Sequence, residues 1–273
     1  MRVLVAFGTR PEIIKLGPVC KALQQAGADL DVFWSGQHVE LAAGLLDFFG
    51  IGVTHNGSRI MEEPGLAGKF GLMCEQIEKL LRAKSYDWIV VQGDTATAAA
   101  AVTAGFMNRV GVAHVEAGLR TGDLQSPWPE EFNRRLIGQA STLHFPPTRQ
   151  ACDNLLREGV SADHIFMVGN TVVDALLYAR AKMSAGYEPR DPEVAALPAD
   201  KKLVLATLHR RENIGAAQHT SRAAHARAGR RQVDCAPRAP QSRGSQRGAP
   251  GSGRCAERSA SRSVAVSRLC LPA

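Results

Sequence analysis

The chain has 273 residues, 45% of them apolar, and a formal net charge of +7. A sizeable core can be buried, no apolar run approaches the roughly 20 residues of a bilayer crossing, and Met1–Phe7 is broken by Gly8 too early for a signal peptide. The six cysteines show no CxxC pair and no His/Cys ligand spacing, so free thiols in a cytoplasmic protein are expected, with no metal site.

In chain order, Arg2–Phe7 reads as a strand and Pro11–Gln25 as a helix, with Ile13, Ile14, Leu16, Val19, Cys20 and Leu23 at helical spacing. Leu30–Trp34 is a second strand, followed by helices at Val39–Phe49 and Leu66–Ala83. Trp88–Val91 is a strand, Thr95–Met107 an Ala/Thr-rich helix, Val112–Val115 a strand, Glu131–Gln139 a helix and Thr142–Phe145 a strand. Helices at Arg149–Glu158 and Val172–Met183 bracket the apolar run Ile165–Val168, and Leu203–Ala206 is the last strand. Continuously apolar strands separated by helices predict an α/β fold, a parallel sheet covered on both faces and doubly wound by right-handed crossovers.

The composition changes abruptly near residue 215. Residues 1–215 carry 22 Lys and Arg against 24 Asp and Glu, whereas residues 216–273 carry 11 Arg, one Asp and one Glu. That tail lacks Ile, Met, Phe, Trp, Tyr, Lys and Asn, and too few large apolar side chains remain to offset the entropy of ordering, so disorder is expected. It reads either as a basic arm for an acidic partner or as GC-rich DNA translated out of frame. Without aromatic stacking residues, a nucleic-acid partner is disfavoured.

In doubly wound folds ligands sit outside the carboxyl ends of the strands. Here those ends read Gly8-Thr9-Arg10, Gly36-Gln37-His38, Gly93-Asp94-Thr95 and Glu116-Ala117-Gly118. Arg10 can grip a phosphate and Lys15, one turn into the helix, can reach the same anion. Neither GxGxxG nor a Walker loop is present. Asp94 and Glu116 put carboxylates at two strand mouths, and Glu130 and Glu131 add acids at a helix start. Acids sharing a crevice can divide into proton donor and acceptor. Each has a plainer alternative: Asp94 or Thr95 as a helix cap, Glu116 paired with Arg120, the helix-start acids serving the dipole. His209, at the last strand's mouth, suits proton transfer or a diphosphate contact, or is a surface residue beside Arg210 and Arg211. His55, His114, His144 and His164 are assigned no role.

Six segments resemble, in order and spacing, the non-hydrolysing UDP-N-acetylglucosamine 2-epimerases: Phe7–Glu12, Gly93–Thr95, His114–Gly122, Ser126–Glu131, Gly169–Ala175 and His209–Asn213. The resemblance implies a glycosyltransferase-B-like fold of two Rossmann-like domains with the nucleotide sugar between them. It implies inversion at C2 of UDP-N-acetylglucosamine by elimination and re-addition of UDP, with no cofactor. Asp94, Glu116 and Glu130 would be the acid/base carboxylates, His209 would contact the diphosphate or assist proton transfer, and Arg10 and Lys15 would hold the phosphate side. Expected boundaries are a first domain over 1–170, a linker helix and the start of an incomplete second domain over 171–215, and the tail over 216–273. The family's Ser-Gly-Gly and Thr-Glu-Arg-Pro-Glu runs, which bind UDP, do not occur, so impaired turnover is expected. Of the family's regulatory substrate site only Gln37 matches. A homodimer through the first domain is compatible with the resemblance. The alternatives are an inactive sugar-nucleotide binder and a hydrolysing epimerase that releases N-acetylmannosamine.

Overall fold

The computed structural model describes residues 1–36, 39–186 and 196. Gln37, His38, the strand expected at Leu203–Ala206, His209 and the tail lie outside the described residues.

Six parallel strands form one sheet: β1 (Arg2–Phe7), β2 (Asp29–Trp34), β3 (His55–Asn56), β4 (Trp88–Gln92), β5 (Gly111–Val115) and β6 (Leu143–Phe145), in the order β3-β2-β1-β4-β5-β6. The doubly wound expectation is met. The chain winds one way from β1 through β2 to β3, then crosses back to β4, so the order reverses between β1 and β4. That reversal opens a crevice at the carboxyl ends of these two strands.

The helices follow the apolar periodicity: α1 (Arg10–Gln25), α2 (Val39–Phe49), α3 (Leu66–Ala83), α4 (Ala96–Met107), α5 (Glu130–Ala140), α6 (Arg149–Arg157) and α7 (Val172–Ser184). Alternate residues of each strand serve opposite faces, as a two-residue side-chain period requires. Val3, Val5, Phe7, Val32 and Trp34 pack with α1 and α2, joined by Ala175 and Tyr178 of α7. Leu4, Ala6, Phe33, Ile89 and Val112 pack with α3, α4 and α5. The fully buried run Ala98–Ala101 lets α4 lie close on the sheet, and Gly105 continues that approach, since a Cβ there would meet Ile89 Cδ1 at 2.8 Å.

Two differences from the sequence pattern stand out. Ile165–Val168 is not a full strand: only Ile165 bridges to His144 in parallel, although the segment runs on beside β6. The two-residue β3 and the 3-10 turn at Ser58–Glu62 are too short for any periodicity to reveal. Among the described residues, no helix is long and apolar enough to cross a membrane, and no group of three or more His, Cys, Asp or Glu could hold a metal.

Two of the histidines assigned no role are structural. His114 and His144 face each other across β5 and β6, each 1% exposed. His114 Nε2 lies 2.8 Å from the Gly93 carbonyl, which can only accept, so Nε2 carries the proton. Burial pushes the two imidazoles down to about 3 and about 4, so both are neutral at pH 7. In the unfolded chain they protonate near 6.5. Their contribution to stability is therefore complete above pH 6.5 and is lost as pH falls from there toward 3–4, at about 1.4 kcal/mol per unit for each. Urea titrations should find the protein roughly 3 kcal/mol less stable at pH 5.5 than at 7.5, with His114→Gln removing about half of the difference. A flat profile over that interval would contradict burial of the neutral pair.

Candidate functional site

The turn from β1 into α1 is held from inside. Glu12 is 1% exposed, and its Oε2 accepts from the Gly8 N–H (3.0 Å), the Thr9 N–H (2.8 Å) and the Thr9 hydroxyl (2.7 Å). Its Oε1 accepts from the Thr95 hydroxyl at 2.7 Å. Thr95 in turn caps α4 by accepting the Ala98 N–H at 3.0 Å. One carboxylate thus stitches the β1 turn to the β4 turn across the sheet reversal. Burial raises the Glu12 pKa, and the four hydrogen bonds oppose that shift without cancelling it. The capping-box spacing Thr9-x-x-Glu12 was the available signal for this residue. Gly8 has a packing reason rather than a ligand one: a Cβ would sit 2.0 Å from Ser35 Oγ and 2.6 Å from Thr97 Oγ1, two buried hydroxyls bonded to each other at 2.7 Å.

Arg10 starts α1, exposed and without a hydrogen-bonding or ionic partner among the described residues. A helix amino terminus carrying a free guanidinium suits an anion. Lys15, one turn on, reaches the mouth of β5, where its Nζ lies 2.5 Å from Glu116 Oε2. Glu116 occupies the left-handed region at φ +63, a conformation costing a non-glycine residue about 1–2 kcal/mol. Its N–H donates to the Phe145 carbonyl at 3.0 Å. Buried Gln92 and half-buried Asn170 also donate to Glu116 Oε2, at 3.2 and 3.3 Å. The alternative pairing of Glu116 with Arg120 does not occur. Arg120 makes a two-pronged contact with Glu158 instead, at 2.8 and 2.7 Å.

Asp94 follows β4. Its carboxylate lies 2.6 Å from Arg134 Nη2 and its carbonyl accepts from Asn133 Nδ2 at 2.9 Å, so α5 is anchored on the β4 turn. Glu130 begins α5, three and four residues before these anchors and hence on the same helix face. It is half-buried, and its carboxylate has no partner among the described residues. Neighbouring Glu131 is structural. It is fully buried and accepts the Thr121 and Gly122 N–H groups at 3.1 and 3.2 Å, fixing the loop after β5. Burial alone would raise its pKa, but those two amides and Arg134 outweigh it and hold the carboxyl below its ordinary value.

Direct bonds therefore join Lys15 to Glu116 and Asp94 to the Glu130 helix at the carboxyl ends of the strands, where Arg10 also starts α1 without a side-chain bond of its own among the described residues. His209 lies outside the described residues. Of the two residues that hold these carboxylates, Asn170 carried no sequence signal beyond its place in the segment Gly169–Ala175, and Arg134 carried none. The fold is that of a Rossmann-like domain, with paired carboxylates and cations at the carboxyl ends of its central strands. The model of the UDP-N-acetylglucosamine 2-epimerase family matches residues 21–242. The chain is 42% identical over 219 residues to the UDP-N-acetylglucosamine 2-epimerase of Escherichia coli K12, covering 79% of this chain and 58% of that one. Among solved structures it is similar to the Neisseria meningitidis UDP-GlcNAc 2-epimerase bound to UDP-GlcNAc, at 38% identity and a TM-score of 0.66, covering 68% of this chain and 51% of that one. A second is the Methanocaldococcus jannaschii UDP-GlcNAc 2-epimerase in complex with UDP-GlcNAc and UDP, at 38% identity and a TM-score of 0.64, covering 69% of this chain and 51% of that one. The chain belongs to the UDP-N-acetylglucosamine 2-epimerase family, a family of isomerases. It spans little more than half the length of these relatives.

Proposed function

We propose that this chain supplies the acid/base wall of an epimerase that interconverts UDP-N-acetylglucosamine and UDP-N-acetylmannosamine. The observation that supports this most directly is the pairing of two carboxylates with cations at adjacent strand mouths, Glu116 with Lys15 and Asp94 with Arg134. A carboxylate at the rim takes the C2 proton as the C1–O bond breaks. The electron pair of the C2–H bond forms the C1–C2 double bond, and the C1–O pair leaves with UDP. Return of UDP to C1 and protonation of C2 on the opposite face completes inversion. Asp94, Glu116 and Glu130 share the proton transfers, while Arg10 stands at the helix end suited to the departing diphosphate, where negative charge grows. His209 is assigned with the diphosphate or a proton transfer on its motif alone. Turnover by the 273-residue chain is slow in this reading, because the UDP-binding runs of the family do not occur in its sequence.

The test is incubation of the chain with UDP-N-acetylglucosamine in deuterium oxide, followed by proton NMR. Deuterium should appear at C2 of both UDP-sugars, with 2-acetamidoglucal and UDP accumulating slowly. Free N-acetylmannosamine with UDP would replace this reading by the hydrolysing one. No exchange and no product would remove it.

A further inference from the structure

Asn170 belongs to the segment Gly169–Ala175 but has no part in the chemistry above. The run leading to it lies beside β6: the Phe166 N–H donates to the His144 carbonyl at 2.8 Å and the Val168 N–H to the Pro146 carbonyl at 3.2 Å. That run therefore ends at the carboxyl rim like a strand, and Gly169, at φ +83, turns the chain so that Asn170 stands just before α7. The side chain is held at both ends. Its Oδ1 accepts the Val172 N–H at 3.0 Å, one of the amides that the first turn of α7 leaves without an intrahelical partner. With the oxygen so committed, the amide can turn only its NH2 group to Glu116, and Nδ2 donates to Oε2 at 3.3 Å. Lys15 and Gln92 bind the same oxygen. Among the described residues Glu116 Oε1 receives no hydrogen bond, so three donors on Oε2 leave Oε1 as the working atom.

We infer that Asn170 is a positioning residue for Glu116, fixing the rotation of its carboxylate from the first turn of α7. The inference rests on the reading of Glu116 as an acid/base group, and it differs from a mere helix cap in what substitution does. Asn170→Asp keeps an acceptor for the Val172 N–H, at a helix start where a carboxylate is favourable. It also sets a second negative charge against Glu116 in place of a donor. Thermal unfolding of Asn170→Asp should stay within about 2 °C of the parent, because the cap survives. For C2 proton exchange, kcat should fall on the order of 100-fold, KM should stay within about threefold, and the acidic limb of the pH profile should move upward. Asn170→Ala, which neither repels nor donates, should lose roughly tenfold. Unchanged exchange and pH profile in Asn170→Asp would reduce the residue to a cap.

A second arm needs no turnover. The side-chain amide signal of Asn170, in nitrogen-15 spectra of the full chain, should shift when Glu116→Gln is introduced. An unmoved signal overturns the contact. A parent chain with no exchange at all sinks the epimerase reading, and the amide signal then still decides whether Asn170 holds Glu116.

Discussion

Replacing Gly118 with alanine is expected to destabilise the protein by on the order of 4 kcal/mol and to lower its thermal midpoint by about 10 °C or more. Two penalties coincide. Gly118 sits at φ +84, and a Cβ there would lie 2.2 Å from the Ala151 carbonyl oxygen and 2.8 Å from its carbon. Those atoms are backbone inside α6 and cannot swing aside as a side-chain tip would. Asn154 Nδ2 also donates to the Gly118 carbonyl at 2.8 Å, so relief by moving the turn breaks a further bond. The control is Gly93→Ala. Gly93 has a similar dihedral, φ +71, but its Cβ would meet nothing within 4 Å. It should therefore lose only the conformational part, about 1–2 kcal/mol. Urea titration of the two variants separates contact from dihedral strain, and equal losses would mean that α6 does not press on the β5 turn.

The second large effect concerns the three carboxylates. Asp94→Asn, Glu116→Gln and Glu130→Gln should each slow C2 exchange by about 10²–10⁴-fold relative to the parent chain, the usual contribution of a positioned acid or base. Their stabilities should diverge. Glu130 has no partner among the described residues, so Glu130→Gln should leave the urea midpoint where it was. Asp94→Asn gives up a half-buried ion pair with Arg134 and should lose about 1–2 kcal/mol. Glu116→Gln withdraws charge from Lys15 but keeps an amide oxygen that Gln92 and Asn170 can still address, and an intermediate loss is expected. A Glu130→Gln chain that exchanges deuterium at the parental rate would remove Glu130 from the chemistry. Folding could not be blamed, because stability is measured on the same sample.

The sequence made the frame readable because β1, β2, β4 and β5 are each built around a short apolar run and α1 carries a clear helical stripe. β3 pairs only His55 and Asn56 with its neighbour, and two residues have no period. The end of β6 hid a different problem. Ile165–Val168 is apolar like a strand, yet it forms one bridge before Gly169 turns the chain away. Of the site, Asp94 and Glu116 were legible because each stands just past a buried run. What could not be read was which charge meets which. Arg120 is four residues from Glu116 but spends its guanidinium on Glu158, 38 residues away, beneath Gly138, where a Cβ would lie 2.7 Å from Nη2. The left-handed backbone of Glu116 had no signal either, since glutamate gives no hint of that conformation. Glu12 was visible as part of a capping box, but its bond to Thr95, 83 residues on, depends on the strand order.

That bond ties together positions that look independent along the chain. Thr9, Glu12 and Thr95 form a single hydrogen-bonded unit with a buried carboxylate at its centre. Loss of either hydroxyl leaves that charge short of a donor, and loss of the carboxylate strands two backbone amides and two hydroxyls at once. Among descendants of this chain the three positions should accordingly change as a set, with the shape of the rim inherited through residues that never touch substrate.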